Sequence, residues 1–571
     1  MALLLAPLLL TTALASNWPS HHPPNPSHHS PAFPGGGPTA TIDAGVVIGT
    51  TTSLPAASAT VNNFLGVPFA KSPPTRFAPP EDPGSFDQPI NATQWSPACI
   101  QQINYPRSAF EFTNAVYNSF MPEESEDCLY LNVYAPSTPA PADGRAVLFW
   151  IYGGALQFGD AGQPQYDGSA FASYEDVIVV TVNYRTNVFG YPSSPALPDD
   201  GHNLGFLDQR FGLQWVQNNI HAFGGSPDKV TIFGESAGSW SVDALLTSYP
   251  ADSNPPFRGA ICESGVISYP GSFSFQDPVP SWNALASALN CSGSDTAVLQ
   301  CVRSAPATQI RTIIDRQSLP FDPVPDNITL FSDPAARRRS GNIASIPVMG
   351  GTNSQEGRSL AVGQTNTTAF LLGSGITHPD YIAQIEAAYP LADGETPYDQ
   401  IARIFTELAF QCPQALWAND TAAAGIPAWR YYFNASFANL QAYPGLGVYH
   451  ASEIPLVFST YPEANATTQE YALSSFMRGA WARFAKNPMG GPGWNGVGTG
   501  VAGQVLVGAE QVEVGGVLRD ASGEVVEGTW NLGLLGNRGD AIGSGVTVID
   551  QAEVDGRCEL FRPIYEAGFQ W

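Results

Sequence analysis

Five residues, Gly234-Glu235-Ser236-Ala237-Gly238, are the part of this 571-residue chain best suited to chemistry. An apolar run, Val230-Thr231-Ile232-Phe233, leads into them, and helix-compatible sequence follows. A serine at such a junction sits on a tight strand-to-helix turn that holds its hydroxyl clear of the backbone. Glycines on both sides remove the Cβ atoms that would collide where strand and helix meet. The first turn of the helix places partial positive charge beside a developing oxyanion. The chemistry is nucleophilic attack on an acyl carbon. A serine hydroxyl performs it only beside a base that is itself oriented by an acid. The same pattern also fits a buried turn with a structural serine, so the partners decide.

Sequence upstream of the elbow narrows the choice. The block Asn203–Ile220, NLGFLDQRFGLQWVQNNI, and then Phe223–Val230, FGGSPDKV, run unbroken into it. Glu126–Tyr134, EDCLYLNVY, is a second long block. Together they resemble the type-B carboxylesterase/lipase family of α/β-hydrolases, which includes cholinesterases and fungal lipases. The resemblance extends from about Gly45 to the C-terminal helix. It implies an α/β-hydrolase fold, with a large, mostly parallel central sheet flanked by helices. It also implies a serine ester hydrolase that needs no cofactor and no metal.

Four histidines lie in the body of the chain. His221 ends a helical stretch before Gly224-Gly225, and His202 and His378 sit in loop-like sequence. His450 lies in Gly447–Pro455, GVYHASEIP, which resembles the histidine block of the family and makes it the expected base. The acid should fall between serine and histidine in chain order. Gly350–Gly357, GGTNSQEG, follows an apolar strand and resembles the acid loop of the family, which assigns the role to Glu356. Tyr152–Leu156, YGGAL, resembles the oxyanion loop, so Gly154 and Ala155 join Ala237 as expected amide donors. The family usually has glycine where this chain has Ala155. The added methyl is expected to narrow the acyl side or to demand a negative φ. Two further residues are candidates for support. Glu235 adjoins the nucleophile and could bias protonation of His450 or hold a cation, and Ser264 matches a supporting serine of the family. Either could instead be structural. Asp208 and Arg210 read as a structural ion pair.

The elements that must position these groups are legible as apolar runs. Leu129–Tyr134, Val147–Tyr152, Val177–Val182, Val230–Phe233, Ala260–Glu263, Pro347–Gly350 and Trp429–Phe433 are β-branched or aromatic and bounded by turns. Helical segments separate them. Continuous rather than alternating apolar runs predict a mostly parallel sheet buried on both faces. Reactive groups in such sheets gather beyond the carboxyl ends of the strands. The Gly- and Val-rich stretch from about 487 to 548 yields no clear element.

Bulk properties set the remaining bounds. A formal charge of −26 argues against nucleic acid and anionic membrane surfaces as partners. Residues 1–15 carry a Leu-rich run ending Ala13-Leu14-Ala15, which reads as a signal peptide, although no basic residue precedes the run. Residues 16–44 read as a Pro/His/Ser-rich disordered leader, and 45–571 as the catalytic domain. His21, His22, His28 and His29 in the leader could hold a metal loosely, but a solvated tail explains them. No stretch predicts a membrane anchor. Seven sequons, at Asn91, Asn290, Asn327, Asn366, Asn419, Asn434 and Asn465, suggest a glycosylated, secreted protein. The resemblance implies the disulfides Cys99–Cys128, Cys291–Cys301 and Cys412–Cys558. It leaves Cys262 as a buried, inert thiol. Closing the Cys99–Cys128 loop contributes about 3–4 kcal/mol on the chain-entropy argument.

Three other readings remain beside a secreted carboxylesterase acting on small or soluble esters. A non-catalytic adhesion-type relative would lack catalytic residues, whereas Ser236, Glu356 and His450 are all present. A choline esterase would use a tryptophan in the Cys99–Cys128 loop for cation–π attraction. This loop has Tyr105, Phe110, Phe112, Tyr117 and Phe120 but no tryptophan before Cys128. An interfacial lipase acting on lipid esters would carry a longer amphipathic lid there, whereas this loop is short and includes Arg107, Glu111, Glu123 and Glu124. The substrate pockets are expected in variable loops such as 321–326. The oligomeric state is not legible.

Overall fold

The structure, a computed structural model, describes residues 36–57, 59–103, 107–118, 121–269, 277–498, 530–536 and 545–567. The 1–15 segment, the leader histidines, Tyr105, Phe120 and much of 487–548 lie outside the described residues.

The first described element is a small sheet. Alternation in Thr39-Ala40-Thr41-Ile42 turns Ala40 and Ile42 inward and forms β1 (Thr39–Ile42). It pairs antiparallel with β2 (Gly45–Ile48), which pairs in parallel with β5 (Ile90–Asn91). β1 falls inside the stretch read as leader, so the folded chain begins before residue 45. Four alternating residues are too short a signal to stand out beside a proline-rich run.

Eleven strands among the described residues form the central sheet. They are β3 (Thr50–Thr52), β4 (Val61–Pro68), β6 (Tyr130–Pro136), β7 (Arg145–Ile151), β8 (Ile178–Val182), β9 (Gly225–Glu235), β10 (Gly259–Glu263), β11 (Val348–Asn353), β12 (Ala428–Phe433), β13 (Asn531–Leu535) and β14 (Val546–Asp550). Their order across the sheet is β14-β13-β12-β11-β10-β9-β7-β8-β6-β4-β3. The seven strands from β13 to β8 run parallel, and antiparallel pairs close both ends. β7, β8, β10 and β11 are buried at every position, as strands of a parallel sheet covered on both faces must be. The unassigned Gly/Val-rich region supplies β13 and β14.

Register places the site. Glu235 at the end of β9 faces Glu263 at the end of β10, and Glu263 faces Gly351 near the end of β11. Three strands therefore finish level, and the turns after them open onto one region.

Asp208 and Arg210 do not pair with each other. They lie two residues apart on the Leu204–Asn219 helix, a spacing that points side chains in different directions. Asp208 instead takes a bidentate bond from Arg185, with Nε and Nη2 at 2.8 and 2.7 Å, wholly inside the protein. Arg210 donates to Ser248 Oγ and to the Ile328 carbonyl. The three disulfides Cys99–Cys128, Cys291–Cys301 and Cys412–Cys558 are formed. Cys262 is free and buried in β10, where burial pushes its thiol pKa well up.

Candidate active site

β9 ends at Glu235, and a helix, Ala237–Ser248, starts one residue after Ser236. The serine makes the whole turn, with φ 56° and ψ −120°. A non-glycine residue held there costs on the order of 1–3 kcal/mol, which the surrounding structure must offset. The Ser236 N–H donates to the Glu263 carbonyl at 2.8 Å, fixing the elbow against β10. A Cβ on Gly238 would lie 2.0 Å from the Ile151 carbonyl oxygen, so only glycine lets the helix start this close to β7.

Glu356 follows β11 and is fully buried. Its Oε1 accepts from Ser264 Oγ at 2.6 Å and from the Asn353 N–H at 2.7 Å. Its Oε2 lies 2.7 Å from His450 Nδ1. A carboxylate can only accept, so this arrangement keeps a proton on Nδ1 and the lone pair on Nε2. Ser264, read from sequence as a supporting residue, is thus a direct partner of Glu356.

His450 Nε2 lies 3.1 Å from Glu235 Oε1. Burial, and then the nearby charges of Glu356 and Glu263, raise the Glu235 carboxyl well above the usual range. Burial thus favours the neutral form of this carboxyl beside Nε2. Ser236 Oγ makes no hydrogen bond among the described residues, although Ser236, Glu235 and His450 line one cavity. His221 is exposed at a helix end, and neither it nor His202 or His378 lines that cavity.

Sequence reasoning missed one carboxyl. Glu453, one turn beyond His450, is fully buried and accepts from Asn353 Nδ2. Burial, and the charges of Glu235, Glu356 and Glu263, raise its pKa well above the usual range. The available signal was an acidic residue in a short block that is otherwise apolar or small.

The loop after β7 approaches from the other side. A Cβ on Gly153 would meet Ser236 Cβ at 2.9 Å, so this loop runs against Ser236. Ala155 has φ 56° and Leu156 φ 59°, which corrects the expectation that the methyl demands a negative φ. The Gly154 carbonyl holds the bend by accepting from the Gln157 and Phe158 N–H groups at 2.9 and 3.1 Å. Gly154 and Ala155 line the cavity, and neither amide donates to a protein acceptor among the described residues.

A helix from the first disulfide loop, Arg107–Tyr117, covers the cavity. Phe112 and Tyr117 line it, with Phe158 and Tyr166 opposite. Phe112 stacks on Tyr443 at 5.1 Å, and the Tyr117 hydroxyl donates to Ser359 Oγ at 2.6 Å. The cavity has a volume of about 80 Å³, and none of residues 321–326 lines it. Among the described residues, no group of three or more His, Cys, Asp or Glu could hold a metal ion. None of their helices is long and apolar enough to cross a membrane.

The family model described as Carboxylesterase family matches residues 37–500. An acetylcholinesterase of Bungarus fasciatus is 33% identical over 471 residues, covering 76% of this chain and 76% of the relative. A cocaine esterase of Homo sapiens is 33% identical over 482 residues, covering 79% and 83% respectively. Secreted lipase 5 of Gibberella zeae is 32% identical over 474 residues, covering 76% and 83%. This chain belongs to the carboxylesterase family and is a carboxylic ester hydrolase.

Proposed function

We propose that the protein hydrolyses esters in two steps through an acyl-enzyme on Ser236, with His450 as base and Glu356 as the acid that orients it. The observation carrying this reading is the 2.7 Å contact of His450 Nδ1 with the buried Glu356, in a histidine that shares its cavity with Ser236. Ser236 Oγ attacks the ester carbonyl carbon while its proton passes to His450 Nε2. The carbonyl π electrons move to oxygen, and that oxyanion faces the N–H groups of Gly154, Ala155 and Ala237. Collapse of the intermediate breaks the C–O bond, and the departing alcohol takes the proton from Nε2. Water then attacks the acyl-enzyme by the same route and releases the acid. For Nε2 to receive the serine proton, the Glu235 carboxyl must first give way.

The substrate reading is a carboxylesterase acting on small or soluble esters, supported by the small aromatic-walled cavity. Interfacial lipase action is the second reading. It is favoured by the helix that covers the site and by the resemblance to a secreted lipase. Hydrolysis of p-nitrophenyl esters of increasing acyl length, with Ser236→Ala as control, separates the two. Greatest activity on short soluble esters supports the first reading, and a jump in rate at an emulsion surface supports the second.

Secretion belongs to the same proposal, with residues 1–15 as the signal peptide and 16–38 as leader. Three disulfides fit an oxidising compartment. Six sequon asparagines are exposed, while Asn419 is half-buried on a helix with its side-chain oxygen enclosed. Glycans are therefore expected at Asn91, Asn290, Asn327, Asn366, Asn434 and Asn465, and not at Asn419. Intact-mass analysis of the secreted protein before and after deglycosylation, with site mapping, checks this.

A further inference from the structure

The faces of the His450 ring are held by aromatic groups from two segments that disulfides tie down. Tyr117, inside the Cys99–Cys128 loop, meets the ring edge-on at 6.1 Å. Phe410, two residues before Cys412, packs against it at 4.7 Å. Phe410 is buried and belongs to a π-helical turn, Glu407–Gln411, between the helices Pro397–Thr406 and Cys412–Ala423. A π turn inserts one residue into the helical repeat, so it persists only where other contacts hold it.

Those contacts come from the chain's C-terminal part. Glu407 pairs with Arg557, whose Nε donates at 3.0 Å, and accepts from the Tyr389 hydroxyl at 2.7 Å. Gln411 Nε2 donates to the Val554 carbonyl at 2.7 Å. Arg430 bridges the Gln411 carbonyl and Asp555. The Cys412–Cys558 bond then closes the strap covalently. At the front of the turn, Thr406 Oγ1 accepts from the Gly357 N–H at 2.9 Å, which ties the same element to the residue after Glu356.

We propose that Phe410 is a positioning residue for His450, and that the strap 554–558, closed by Cys412–Cys558, sets the π turn that presents it. The inference rests on His450 being the general base. An imidazole held by Glu356 at Nδ1 can still swing about that bond, and a packed ring on its face restricts this freedom. Displacement of a catalytic group by about 1 Å can cost on the order of 10²-fold in rate, so the clamp acts on turnover more than on binding.

The test is steady-state kinetics on p-nitrophenyl acetate with the full chain. Phe410→Ala is expected to lower kcat about 10–100-fold with KM within about threefold, and Phe410→Tyr to restore most of it. Cys412→Ser with Cys558→Ser should lower kcat in the same sense. Adding Phe410→Ala to that pair should cost less than it does alone, because both act through one element. Should Phe410→Ala fail to fold, Phe410→Leu decides, with an intermediate kcat expected. A kcat within twofold of wild type in the variants, or full additivity of the two perturbations, overturns the proposal. Ser236→Ala keeps the two claims apart. Residual turnover in that variant would defeat the triad reading, whereas a dead Ser236→Ala with an unimpaired Phe410→Ala would defeat this inference alone.

Discussion

His450 Nε2 lies 3.1 Å from Glu235 Oε1, so the nitrogen proposed to take the serine proton faces a second carboxyl. Burial, and then the nearby Glu356 and Glu263, raise the Glu235 pKa well above the usual carboxyl range. As pH rises through that elevated pKa, the proton is lost and a negative charge appears beside His450 Nε2. Wild type should therefore lose kcat/KM at alkaline pH. Glu235→Gln, which keeps a neutral donor, should retain activity within about tenfold at pH 7 and show a flatter alkaline limb. An unchanged alkaline limb in the variant would assign it to another group.

Ala155 sits at φ 56°, where an L-residue carries about 1–2 kcal/mol of strain. Its proposed contribution is a backbone N–H, which glycine also has. Ala155→Gly should melt no lower than wild type and keep kcat within about threefold. Ala155→Pro removes the N–H and cannot adopt the angle, and it should lose at least about 10²-fold. Equal losses in the two variants would show that the methyl, not the amide, matters.

Asp160, just beyond the oxyanion loop, is buried and its pKa is raised to about 7, mainly by desolvation. Among the described residues its side chain accepts one hydrogen bond, from the Gly162 N–H at 3.0 Å. The folded state holds this proton up to about pH 7, whereas the unfolded chain releases it near 3.8. Between those values the folded state binds more protons, so stability falls as pH rises and levels off above about 7. Asp160→Asn should remove the penalty and stabilise by about 1–3 kcal/mol at pH 8, with little gain at pH 4. Thermal melts across that range check it, and a gain independent of pH would contradict it.

Phe112 lines the cavity while stacking on the half-exposed Tyr443. Removing the ring opens the covered side of the site. Phe112→Ala should shift kcat/KM toward bulkier esters by about 10-fold relative to the acetate, the scale of a few methylenes of pocket volume. A uniform loss across the ester series would mean that the helix serves stability rather than selection.

The site was legible in sequence to the extent that chemistry is local. Ser236, Glu356 and His450 each sit in a short block that follows or accompanies a strand, and the level ends of β9, β10 and β11 bring two of these blocks together. What escaped depends on distant packing. Glu453 and Phe410 have no local motif. Phe410 packs against His450 and Glu453 is buried beside Asn353, both through distant folding, and a π turn leaves no periodic signature. The backbone of Ala155 defied expectation because the bend is imposed by hydrogen bonds to the Gly154 carbonyl, not by residue preference. Arg185 was missed as the partner of Asp208 because the contact spans 23 residues, whereas Arg210 is merely close in the chain.

The proposed mechanism passes through a covalent acyl intermediate on Ser236. Mixing the protein with a slowly deacylating activated ester, quenching in acid and measuring intact mass tests it directly. One acyl group per chain, mapped to the Ser236 peptide and absent from Ser236→Ala, is the expected result. Ester turnover with no acyl adduct, or an adduct that persists in Ser236→Ala, would contradict the account.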